Sequence, residues 1–173
     1  MPKVVMSAQS VDETLSIANA LGEALQPGDT VLLIGDLGAG KTQFAKGVLH
    51  GVGSSQEAIS PTFNIVLEYD DGRLPLVHMD LYRLEDAEEL EDIDFYALTD
   101  EGSDHACLIE WADLFPDEMP EDALEVRIGR TDDDGSRSRT LSVTAAGEGA
   151  AQLLRRWHAN AVPSSACITK EKS

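Results

Sequence analysis

Apolar positions along this chain change their spacing several times, and each change marks an element. Val4-Val5-Met6 is a short strand-like run leading to Ser10. From there Val11, Leu15, Ala18, Leu21 and Leu25 recur at helical period, and Ser10 with Glu13 has capping-box spacing, so a helix starts here. Pro27-Gly28-Asp29 stops it. Thr30-Val31-Leu32-Leu33-Ile34 is apolar nearly throughout and predicts a buried strand. Phe44, Val48, Leu49 and Val52 then return to one helical stripe, with Ala45 at its edge. Two extended runs, 64–69 and 74–79, flank the turn residues Asp70-Asp71-Gly72-Arg73, which predicts an antiparallel hairpin.

The second half continues in the same alternation. Asp86 to Ile93 predicts a short acidic helix with Ala87 and Leu90 facing in, and Ala106 to Glu110 a buried strand. Ala123 to Ile128 and Arg139 to Val143 predict a β pair joined across Thr131-Asp132-Asp133-Asp134-Gly135. Glu148 to Asn160 predicts a last helix anchored by Leu153, Leu154 and Trp157, and residues 161–173 are expected to form a disordered tail. A chain of 173 residues holds one domain of this size, here expected over residues 1–160. Strands outnumber the helices needed to join them all in parallel. The expected fold is therefore α/β with a mixed central sheet, a parallel core and antiparallel flanks.

Between the buried strand and the helix that follows lies Gly35-Asp36-Leu37-Gly38-Ala39-Gly40-Lys41-Thr42. It fills the Gly-x-x-x-x-Gly-Lys-Ser/Thr template at every fixed position, in the strand–loop–helix setting that the template needs. Glycines let the backbone turn tightly enough for successive N–H groups to converge on phosphate oxygens at a helix N-terminus. Lys41 is placed to reach the β- and γ-phosphates and the Thr42 hydroxyl to ligate magnesium. ATP and Mg2+ are the expected cofactors, in a three-layer sandwich of the P-loop nucleotidase kind.

Hydrolysis needs more than a cradle: an acid to organise the metal and a group to position water. Two strands end in acids, Leu76-Val77-His78-Met79-Asp80 and Cys107-Leu108-Ile109-Glu110. In open α/β sheets ligands gather at the carboxyl ends of the strands, so Asp80 and Glu110 are the candidate catalytic and metal-organising acids. Alternation places His78 and Asp80 on one face. Ser60-Pro61-Thr62-Phe63 offers Thr62 as a γ-phosphate sensor, or else an ordinary proline turn. Trp111 reads as core packing.

Charge narrows the class further. The net charge is −19, with 24 acidic and four basic residues between Glu68 and Asp134. Binding to DNA or RNA normally needs a basic face that displaces counterions, and this sequence has none. Service to nucleic acid chemistry would therefore run through a protein partner, for which an acidic face offers steering. No apolar stretch approaches the ~18–20 residues of a membrane helix. The start of the chain lacks a signal-peptide pattern, and Cys107 and Cys167 lack metal or disulfide-framework spacing. The expected setting is a reduced cytoplasm. A small-molecule kinase is disfavoured by the scarcity of cations between Thr42 and Arg127; a non-catalytic nucleotide-dependent adaptor stays open.

Four motifs in order carry a more specific likeness: residues 35–42, Ser60-Pro61-Thr62-Phe63, His78-Met79-Asp80-Leu81-Tyr82-Arg83 with Glu88-Glu89-Leu90, and Leu108-Ile109-Glu110-Trp111. Together they resemble the TsaE (YjeE-type) family of small bacterial ATPases over roughly residues 10–143. The resemblance implies a role in forming threonylcarbamoyladenosine in tRNA, alongside TsaB and TsaD proteins, with tRNA met only indirectly. It implies that Lys41 and the loop amides hold phosphates and that Thr42 and Glu110 organise magnesium. Asp80 would join the metal shell or align water, and Thr62 would report the γ-phosphate. Asp12 and Arg139 are further, weaker nucleotide contacts on the same grounds.

Overall fold

The computed structural model describes residues 1–58, 64–131 and 137–161. Seven strands form one sheet: β1 (Lys3–Ala8), β2 (Thr30–Ile34), β3 (Val66–Tyr69), β4 (Leu76–Asp80), β5 (Ala106–Glu110), β6 (Leu124–Arg130) and β7 (Arg139–Ala145). Their spatial order is β1-β7-β6-β2-β5-β4-β3. The central pairs β6/β2, β2/β5 and β5/β4 are parallel, whereas β1/β7, β7/β6 and β3/β4 are antiparallel. The mixed sheet with a parallel core is thus present. Every residue of β2 and of β5 is buried, which is why those runs are apolar at nearly every position.

Three long helices cover one face: α1 (Val11–Ala24), α2 (Lys41–Gly51) and α5 (Glu148–Asn160). The capping reading holds for α1, where the Ser10 hydroxyl accepts from Glu13 N–H at 3.1 Å. The Glu13 carboxylate reaches one residue past the usual box and accepts from Gln9 N–H at 2.6 Å. Helices α1 and α2 touch backbone to backbone. A side chain begun at Gly47 would meet Ala18 Cβ at 2.6 Å and Leu15 O at 2.7 Å, so only glycine permits that approach. Trp157 of α5 is fully buried, sets its ring edge-on to Phe44 at 6.4 Å and donates its indole N–H to Ile17 O at 3.0 Å. One indole ties all three helices together.

The opposite face is covered by far shorter pieces, α3 (Glu89–Asp92) and α4 (Phe95–Leu98), followed by two 3-10 turns after β5. The acidic helix expected over Asp86–Ile93 is therefore only four residues long. It ends because Asp94 adopts a left-handed backbone, φ 56°, and α4 restarts beyond it. Leu90 and Phe95, both fully buried, anchor this layer against Val77, Met79, Cys107 and Ile109. The site residues sit at the carboxyl ends of β2, β4 and β5, beside α2. Among the described residues no helix is long and apolar enough to cross a membrane.

Candidate functional site

The loop between β2 and α2 is built by two left-handed glycines, Gly38 at φ 77° and Gly40 at φ 109°. Both conformations are costly for any residue with a Cβ. Ala39 N–H donates to Asp36 O at 3.0 Å to close the turn, and the first helical bond runs from Phe44 N–H to Gly40 O at 2.9 Å. Gly40 has no side chain with which to cap α2. The first turn of that helix therefore presents donors toward the loop's concavity, the arrangement that receives anions. Thr42 is exposed on this turn, and Leu37 at the loop tip is 72% exposed.

Lys41 folds back under the loop. Its ammonium donates to Gly35 O and, at 3.0 Å, to Asp36 O, and lies 4.2 Å from the centre of the Trp111 ring. Burial pushes its pKa down from the ordinary value, and the surrounding carboxylates, Glu110 first and then Asp80, Asp113 and Asp36, oppose that shift. No carboxylate bonds it directly among the described residues. The lysine is held by carbonyls and an aromatic face, partners weak enough to exchange for a strong anion.

The two strand-end acids stand side by side. Asp80 and Glu110 are register partners in the parallel β4/β5 pair, and Leu33 of β2 pairs with Glu110 on its other side. Parallel register partners share a face, so both carboxylates lie on the α2 side of the sheet. Asp80 Oδ1 accepts from Tyr82 N–H at 3.0 Å. Burial pushes the Asp80 carboxyl up; the Tyr82 bond opposes this, Glu110 adds to it, and His78 and Lys41 work against it. Glu110 is 3% exposed and His78 Nε2 stands 3.5 Å from its Oε2. Glu110 Oε1 and His78 Nε2 are buried without a hydrogen-bond partner. A buried carboxylate oxygen left bare among the described residues is expensive.

Of the other residues singled out by sequence, Arg139 opens β7 and donates its Nε–H to Ala39 O at 2.6 Å, bracing the glycine loop. Asp12 is not gathered with the acids. It is exposed at the start of α1 and lines a groove of about 570 Å3 with Ser16, Gln43 and Lys46. Thr62 lies outside the described residues, as do Ser60, Pro61 and Phe63. Two contributors have a place at the site that the motifs did not assign: Trp111, read from sequence as core packing, and Arg130. Trp111 turns back under Lys41 because its backbone is left-handed, φ 59°, at a position with no glycine or asparagine to announce it. It also packs against Tyr82, with ring centres 4.8 Å apart and the planes tilted by 45°. Arg130, at the end of β6, brings Nη2 to 3.5 Å from where a side chain would begin at Gly38.

Comparison with known proteins points one way. The family model described as "Threonylcarbamoyl adenosine biosynthesis protein TsaE" matches residues 8–140. A Bacillus subtilis (strain 168) protein named "tRNA threonylcarbamoyladenosine biosynthesis protein TsaE" is 44% identical over 136 residues, 79% of this chain and 82% of its own length. A protein of the same name from Treponema pallidum (strain Nichols) is 37% identical over 135 residues, 78% of this chain and 97% of its own. The crystal structure of Bacillus subtilis YdiB superposes with a TM-score of 0.74 at 34% identity, covering 91% of this chain and 95% of that one. With a family match that includes the glycine loop, both acids and Arg139, this chain belongs to the TsaE family of threonylcarbamoyl adenosine biosynthesis proteins.

Proposed function

We propose that this chain binds and hydrolyses ATP with magnesium and so supports a TsaB–TsaD-type complex in forming threonylcarbamoyladenosine in tRNA. The observation that carries this reading is the convergence of an uncapped helix N-terminus, Lys41 and the Asp80–Glu110 pair at one end of the sheet. The loop amides receive phosphate oxygens, and Lys41 exchanges the Gly35 and Asp36 carbonyls for the β- and γ-phosphates. Exchange is favourable because a buried ammonium gains a charged partner in place of neutral ones.

The residues present also fit a hard cation. Magnesium takes oxygen donors, usually one or two carboxylates together with substrate phosphates and waters. Thr42 supplies an exposed hydroxyl, and Glu110 a buried oxygen that nothing else in the described protein satisfies. When bound, the ion supplies neutralisation of phosphate charge. Asp80, kept reluctant to ionise by burial, is placed to align water or to hold it beside Glu110. Arg139 keeps the loop in its phosphate-receiving shape. The net charge of −19 agrees with a cytoplasmic subunit that meets tRNA only through its partners.

Hydrolysis by the chain alone is expected to be slow, because stimulated nucleotidases often gain on the order of 10³–10⁵ in rate from a group delivered by a partner. Steady-state ATPase assays, with and without a TsaB–TsaD-type complex and at two ionic strengths, test the reading. Stimulation that fades as salt rises is the expected result. A fast ATPase indifferent to both would overturn it.

A further inference from the structure

The sheet ends at β3, and its outer edge carries no strand among the described residues. The register fixes which backbone groups face outward there. Asp80 N–H donates to Ile65 O at 2.9 Å, so the pair 65/80 is a hydrogen-bonded one. Bonded and non-bonded pairs alternate in an antiparallel ladder. The pair Leu67/His78 is then bonded, while Val66/Met79 and Glu68/Val77 are not. The backbone N–H and C=O groups of Val66 and Glu68 therefore point away from β4.

Those two residues open onto a groove of about 600 Å3 that separates the edge from the corner between α3 and α4. Ile65, Val66, Ile93 and Leu98 give it an apolar floor, each only partly buried. Glu68, Asp92 and Asp94, all exposed, line its rim. The left-handed Asp94 makes the corner that sets Ile93 and Leu98 on the same side. The segment that supplies its α3–α4 side has one sign of charge: Leu84 to Asp104 contains ten acidic residues and no Lys or Arg. An open strand edge beside a groove is where an extended peptide adds a strand, with backbone bonds giving affinity and alternate side chains giving specificity.

We infer that the β3 edge and the α3–α4 groove form a docking surface for a protein partner. Its contact segment is extended and alternates Lys or Arg with apolar side chains. The segment pairs with the outward groups of Val66 and Glu68, sets its apolar side chains against Ile93 and Leu98, and directs its cations to Glu68, Asp92 and Asp94. The inference rests on the partner-dependent reading above and specifies where that partner sits. Because β4 joins β3 to Asp80, docking there abuts the site without covering the glycine loop.

Hydrogen exchange and calorimetry with the TsaB–TsaD-type complex test it. In the parent protein, binding should slow exchange at the Val66 and Glu68 amides, while Leu67, already paired with His78, changes little. Val66→Pro removes one outward donor without touching the inner ladder, and Glu68→Lys with Asp92→Lys reverses the rim. Each should weaken association by about tenfold or more, and the charge-reversed form should lose its salt dependence. ATP affinity of the same variants, measured without partner, should equal that of the parent and shows that they fold. If the parent binds the complex but the variants bind equally well and the two amides stay unprotected, the docking surface is wrong and the functional reading stands. If the parent does not bind the complex at all, both fall.

Discussion

The two ends of the parallel strands treat their acids in opposite ways. At the amino ends, Asp29 accepts from Gln26 N–H at 2.7 Å and from Arg156 Nη2 at 2.6 Å. Nearby, both carboxylate oxygens of Asp122 accept from the first turn of α5, Gly149 and Ala150 N–H each at 2.7 Å. At the carboxyl ends, Glu110 has a bare oxygen, Lys41 is held by carbonyls and a ring, and α2 starts without a cap side chain. Perturbed acidity does not separate the ends, since burial pushes both Asp29 and Asp80 up. Satisfaction of hydrogen bonds does. One end uses its carboxylates to hold the fold, and the other leaves a buried carboxylate oxygen unmet, which costs stability; the proposed function gives that cost a reason.

The largest expected effect comes from removing the available acid. Glu110→Gln should lower partner-stimulated hydrolysis on the order of 10²-fold, the scale of a lost positioned acid or metal-organising group. Its ATP affinity should change far less, because the lost interaction belongs to the transition state. The same variant should melt at a higher temperature than the parent, since a buried charge with an unmet oxygen is gone. A lower melting temperature with unchanged hydrolysis would place Glu110 with the structural acids.

Lys41→Ala should cut Mg-ATP affinity by about 10- to 100-fold, the size of one or more hydrogen bonds to a charged group. Thr42→Ala should show a defect that shrinks as magnesium rises. Calorimetry across magnesium concentrations reads both. Parental affinity in Lys41→Ala would remove the glycine loop from the site.

Asp122→Ala is the mirror experiment. Loss of its two bonds to α5 should cost about 1–2 kcal/mol in denaturant unfolding, as for other helix caps, while ATP affinity stays parental. A loss of nucleotide binding without a loss of stability would break the contrast between the ends.

The smallest effect is a pH dependence. Burial raises the folded-state value of Asp80 above its ordinary 3.8, so the folded protein takes up that proton more readily than the unfolded chain. The resulting stability is present below 3.8 and is lost as pH rises through the folded value. Asp80→Asn should therefore be more stable than the parent at about pH 7, with the advantage vanishing in acid. Unfolding of both proteins at the two pH values checks the sign.

Much of this was legible along the chain. All seven strands and the three long helices follow from changes of apolar period and turn residues, and the α5 range from Glu148 to Asn160 coincides with the structure, whereas α4 and the 3-10 turns were not anticipated. Gly35 to Thr42, Asp80 and Glu110 could be named because a phosphate cradle and strand-end acids have local signatures. The α3–α4 break was not legible, since Asp94 tolerates a left-handed backbone but is one of many aspartates in this acidic stretch and nothing local singles it out. Asp12 stands at the start of α1, as the period and cap predict, and lines a groove with Ser16, Gln43 and Lys46.

What the sequence alone determined is therefore what repeats locally: period, caps, the glycine loop and the acids that close apolar runs. Only the tertiary structure decided the rest. Register made neighbours of Asp80 and Glu110, 30 positions apart. A left-handed turn sent Trp111 beneath Lys41, and packing left Glu110 Oε1 bare while it satisfied Asp122. Whether a buried charge finds its partner depends on chain segments far away in sequence, and no local pattern encodes that meeting.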